Sequence, residues 1–225
     1  MARFSAAPRI VSECPQRLIA CTAMSRLKVS IQDFVANPLQ VLEQARAQGV
    51  MMDTDLGPVV VRHAELREIA QSEKLRPAFT RVLQMLGITS GPFYDFMSIS
   101  PLDMDGDDHR VWRQLMSRTF TPRSVEKLRP FLREEAERLI DTFLPLGRCD
   151  FIEAYARKLP AIGLCELIGV PVSDRERFSV WADTIGFGFN PVLLPSKIGE
   201  VDSAVTQLLA YADELVAARR AAPRD

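Results

Sequence analysis

Histidine is nearly missing from this sequence, which holds His63 and His109 and no others in 225 residues. Its four cysteines, Cys14, Cys21, Cys149 and Cys165, show no C-x-x-C spacing. These two scarcities exclude a clustered zinc site and a disulfide framework. Net charge is −1, which excludes bulk attraction to nucleic acid or to a membrane surface. Long apolar runs are also missing, so no transmembrane segment is expected. Leu18-Ile19-Ala20-Cys21 has the form of a lipoprotein cleavage site, but Pro15 and Arg17 interrupt the apolar region that must precede one. The expected compartment is the cytoplasm.

What is present is ordinary globular material, 47% hydrophobic and 25% charged. Residues 1–30 read as a flexible, basic N-terminal extension, and residues 31–225 as part of a single domain. Within 31–49, Asn37 and Pro38 open a helix that Gly49 stops, with Leu39, Leu42 and Ala45 or Arg46 on its inward side. Val50–Met52 and Val59–Val61, joined through a turn at 53–58, predict a β-hairpin. A helix follows at about 64–71. Residues 76–102 carry five Pro or Gly residues and no sustained period, which predicts a long irregular segment rich in apolar side chains.

Further on, an apolar stripe predicts a helix over 123–146, with Pro130 setting its first turn apart. Another runs from Leu159-Pro160 to Gly169, and Cys165 on it reads as a buried small hydrophobe. Cys149 is expected in a turn. Ser173 and Glu176 form a capping-box pattern before a helix carrying Phe178, Trp181 and Ile185. An apolar loop at 186–195 precedes a last helix at about 199–220. The expected fold class is mainly α with a small β-hairpin.

The most informative stretch is Asp103–Pro122, an acidic turn followed by a helical pattern. Asp108 or a neighbouring Asp is placed to cap that helix, and Thr121-Pro122 ends it near Phe120. His109, Trp112, Arg113, Met116 and Phe120 recur at three- and four-residue steps and share one face. An imidazole one turn before a guanidinium, among apolar neighbours, suits an anionic and otherwise apolar ligand. The competing reading of the same spacing is a plain solvated face.

His109-x-x-x-Arg113 followed by Phe120-Thr121-Pro122 resembles the C helix of bacterial soluble cytochromes P450. The turn before it departs from the family's usual Asp-x-Pro-Pro-[Asp/Glu]-His. The resemblance extends over about residues 31–225 and implies an incomplete cytochrome P450 fold, running through about helix G. It implies that His109 and Arg113 bind haem propionates. The family's loop between helices B and C and its F–G loop contact substrate, which points to Phe93, Phe96, Met97, Ile99, Phe187 and Phe189.

The family activity is haem-thiolate monooxygenation of a small organic substrate, with electrons from a ferredoxin- or flavoprotein-type redox partner. Its oxygen-activating motif and its iron-ligating cysteine loop have no match in this sequence. No catalytic residue and no metal ligand is therefore assigned, and this chain alone is expected to be inactive. The alternatives are a non-enzymatic all-α interaction protein and a decayed gene product.

Overall fold

The computed structural model describes residues 26–72 and 74–223, and within them the chain divides into two units, one ending at Ala78 and one beginning at Phe79. The expected N-terminal extension lies, up to residue 25, outside the described residues. From Arg26 onward the chain is already paired. Leu27 and Val29 exchange backbone hydrogen bonds with Asp53, and the Arg26 guanidinium meets the Asp53 carboxylate at 3.3 Å.

In the first unit, Ser30 caps a short helix that the sequence pattern did not reveal, α1 (Ile31–Ala36), by accepting the Asp33 N–H at 3.0 Å. Pro38 then begins α2 (Pro38–Gln48), which stops at Gly49 as expected. Asn37 stands at its N-cap, yet its side chain makes no capping bond. The inward stripe agrees with expectation in part, since Ala45 is buried and Leu42 packs against the same cluster. Val41 and Ala45 are buried, whereas Leu39 is 83% exposed. Val41 and Ala45 are four residues apart and pack with Met52 and Val61 of the hairpin region, which fixes the face.

The hairpin pairs β1 (Met51–Thr54) with β2 (Gly57–Val60), antiparallel, in the register Met51 to Val60. Its turn is tighter than the expected 53–58, because Gly57 takes a φ of 113° and lets the strands reach Thr54 and Gly57. Arg46 Nε donates to the Val61 carbonyl at 2.7 Å and fastens α2 to the end of the hairpin. Helix α3 (His63–Ala70) follows, with His63 exposed.

The second unit begins with a correction. The segment expected to be irregular holds two helices, α4 (Phe79–Met85) and α5 (Pro92–Ser98). Each is seven residues long, too short to show a period in sequence. Next come α6 (Gly106–Thr119) and α7 (Pro122–Phe143), the latter opened by Thr121, whose hydroxyl accepts the Ser124 N–H at 3.1 Å. Pro130 sets no turn apart: α7 runs through it unbroken. That stretch is exposed, so water can serve the one carbonyl that loses its donor.

A turn and a π-helical segment, Ile152–Ala156, lead to α8 (Lys158–Ile168), which Gly169 ends at a φ of 78°. The capping box at 173–176 does not form. Val172–Asp174 winds as a 3-10 turn instead, and Asp174, not Ser173, precedes α9 (Arg175–Gly186). The Asp174 carboxylate accepts the Tyr211 hydroxyl at 2.9 Å. The expected 186–195 loop contracts to a 3-10 turn, Phe187–Phe189, and a short connection. Helix α10 (Leu194–Ala221) therefore starts five residues early.

Helix α10 is the spine of this unit. Leu194, Val201, Ala204, Val205 and Tyr211 on it are buried against Phe93, Met97, Cys165, Trp181 and Ile185 from α5, α8 and α9. Burial of each large side chain contributes about 1.5–3 kcal/mol, so this cluster carries most of the unit's cohesion.

Candidate functional site

Helix α6 owes its start to Asp105, whose carboxylate accepts the Gly106 N–H at 2.7 Å, and its end to Phe120, ahead of the proline. At about 100° per residue, His109, Trp112, Arg113, Met116 and Phe120 fall within an arc of about 100°. The structure therefore brings the four that lie on α6 onto one face, as the spacing predicts, with Phe120 just beyond at the C-cap. None of the helix is buried. Trp112, Met116 and Phe120 stay 43–46% exposed, while His109 is half-buried and Arg113 exposed.

Arg110 stands about a quarter-turn away from His109 and is ion-paired with Asp107. Among the described residues, no hydrogen bond or ion pair engages the His109 ring or the Arg113 guanidinium. The face is thus an apolar surface with two cationic or hydrogen-donating heads one turn apart. Its chemistry is recognition of carboxylates attached to an apolar body.

The six expected substrate-contacting residues separate by burial. Phe93 and Met97 point into the core, 0% and 1% exposed. Phe96 is half-buried, and Ile99, Phe187 and Phe189 are exposed. Phe93 and Phe189 do meet, edge to face at 6.5 Å between ring centres, and Phe79 joins them at 6.3 Å and 5.4 Å. Lys197 Nζ lies 6.0 Å over the Phe187 ring. No recorded hydrogen bond, ion pair or ring contact among the described residues links α6 to this aromatic group.

Two positions that shape the aromatic group were not read from sequence. Asp202 Oδ1 accepts the Phe93 N–H at 2.8 Å, across 109 residues. Gly188 lies so close to the Phe93 ring that an added Cβ would stand 2.2 Å from Cζ. The available signals were slight: α5 opens with Gly91-Pro92, which supplies no polar cap of its own, and Gly188 sits between two phenylalanines.

Neither described cysteine is placed as a metal ligand. Cys165 is buried in the core and its thiol pKa is pushed up by that burial. Cys149 is exposed, not in a turn as expected but in the irregular link between the Leu144–Leu146 turn and the π-helical segment. Among the described residues there is no His, Cys, Asp or Glu group suited to a metal, and no helix long and apolar enough to cross a membrane.

No protein-family model matches the chain. Individual proteins do. It is 37% identical over 133 residues to luteothin monooxygenase of Streptomyces thioluteus, covering 59% of this chain and 32% of that protein. It is 30% identical over 185 residues to the cytochrome P450 monooxygenase PikC of Streptomyces venezuelae, covering 79% of this chain and 44% of that one. Among solved structures, myxobacterial cytochrome P450 CYP267B1 in complex with myristic acid aligns with a TM-score of 0.68 at 30% identity, covering 86% of this chain and 49% of that one. P450BioI, solved with a fatty-acyl carrier protein, aligns with a TM-score of 0.73 at 23% identity, covering 86% of this chain and 51% of that one, which shows likeness of fold. The chain spans about a third to a half of the length of these proteins. Its homologues and structural neighbours are thus bacterial cytochromes P450, and the chain carries part of the cytochrome P450 fold.

Proposed function

We propose that this chain supplies the propionate-binding helix and part of the substrate-contacting wall of a haem monooxygenase acting on a small, largely apolar organic molecule in the cytoplasm. The observation that carries the reading is the α6 face, where His109 and Arg113 stand one turn apart among Trp112, Met116 and Phe120. The donor set fits haem. Two carboxylates can be received by the imidazole and the guanidinium, while the three apolar side chains offer cover to the macrocycle. When bound and ligated by a thiolate, haem supplies the activation of O2 that this enzyme class requires. With haem bound, Arg113 would hold its charge opposite a propionate and His109 would add a hydrogen bond to the propionate edge.

Phe96, Ile99, Phe187 and Phe189 form the substrate-facing surface, and Phe93 and Met97 support it from the core. Electrons come from a ferredoxin- or flavoprotein-type partner. With no thiolate placed for iron among the described residues, this chain by itself is inactive in our reading.

The test is haem retention in the haem-loaded protein carrying this sequence. Arg113→Ala should lower retention by about 1.5–3 kcal/mol, as for other charge-assisted contacts, whereas Arg110→Ala should change little. Equal loss in both variants, or none in either, would reject the face assignment and favour the interaction-protein reading.

A further inference from the structure

Helix α5 is gripped from two sides through one residue. Its N-cap, Gly91, offers no side chain, and the Phe93 N–H is taken instead by Asp202 on α10. The approach depends on Gly91 lacking a side chain, since a Cβ there would stand 3.1 Å from the Asp202 carboxylate. On its other side the Phe93 ring fills the space left by the missing side chain of Gly188, in the turn that joins α9 to α10. Phe93 is fully buried, so its ring cannot move without displacing that turn. Its backbone cannot move without breaking a hydrogen bond to a carboxylate.

We infer that Asp202 is a positioning residue that makes α5 and the Phe187–Phe189 turn move as one body on α10, with Phe93 as the coupling piece between them. The mechanical claim stands on these contacts alone. Its functional consequence rests on the proposed substrate role of the segment: Asp202 fixes the placement of Phe96 and Ile99 on one side relative to Phe187 and Phe189 on the other.

Backbone amide exchange of the full chain tests this without haem or substrate, so its outcome is independent of the Arg113 experiment. Asp202→Ala should speed exchange roughly tenfold or more in 92–98 and also in 186–193, as expected for loss of a hydrogen bond to a charged group. Asp202→Asn keeps an acceptor oxygen and should restore part of the protection in both segments. Asp213→Ala, at an exposed position on the same helix, should alter neither. Faster exchange in 92–98 alone, or in neither segment, overturns the coupling. If Asp202→Ala loses its helical circular dichroism, Phe93→Leu decides, since it keeps the backbone bond and weakens the ring contact. Coupling predicts faster exchange in both segments, and a response confined to 186–193 refutes it.

Discussion

Asp103 caps a helix that begins 24 residues before it, accepting the Phe79 N–H at 2.6 Å and the Thr80 N–H at 3.3 Å. A further hydrogen bond comes from the Thr80 hydroxyl. The residue ahead of Phe79 is Ala78, which has nothing to offer the free amides of a first turn. Asp103→Ala should therefore lower stability by about 1–2 kcal/mol, and Asp103→Asn by less. Denaturant unfolding with an unchanged slope checks this, and equal effects of the two substitutions would contradict the capping role.

Gly188 and Gly186 lie two residues apart and should respond oppositely to alanine. A Cβ at Gly188 overlaps the Phe93 ring, and overpacking of this kind costs about 1–3 kcal/mol. Nothing lies within 4 Å of a Cβ at Gly186, which ends a helix, so alanine there should be neutral or stabilise by about 0.5–1 kcal/mol. Adding Phe93→Leu to Gly188→Ala should recover part of the loss. Thermal melting of the four proteins decides, and a Gly188→Ala melt like that of Gly186→Ala would refute the contact.

Tyr211 gives the fold a limit at high pH. Burial, and then its hydrogen bond to Asp174, push the phenol pKa above the ordinary tyrosine value of about 10. The folded state therefore holds a proton that the unfolded chain gives up first. The resulting stability is complete below the unfolded value and is lost as pH rises from there through the folded one. Tyr211→Phe should flatten the decline in stability above about pH 10. An unchanged alkaline decline would place its cause elsewhere.

The reach of sequence reasoning followed the range of the interactions. His109 and Arg113 were legible because a helix face is set by spacing alone, within one turn. The same holds for Gly169 at the end of α8 and for the hairpin. Helices α4 and α5 were not legible, since their first turns are completed by Asp103 and Asp202 from distant parts of the chain. The Ser173 pattern misled for a related reason: the bond between Tyr211 and Asp174, 37 residues apart, competes with a local cap. Phe93 and Met97 illustrate a different limit. Apolar residues in a Gly/Pro-rich segment announce contact with something, and only packing tells core from ligand.

Arg219 donates from Nη2 to the Gly169 carbonyl at 2.6 Å, 50 residues away, at the end of α8. Asp202 does the comparable service for α5 across 109 residues. During synthesis, which proceeds from the N-terminus, the Phe93 N–H and the Gly169 carbonyl are made before the side chains that will engage them. Closing such long loops waits on the later partner, so α10 must emerge before either is complete. A ribosome stalled before residue 202 would hold a chain in which the Phe93 N–H of α5 still lacks its acceptor. Helix α10 is then the part whose arrival gives α5 and α8 the partners that nearby sequence cannot supply.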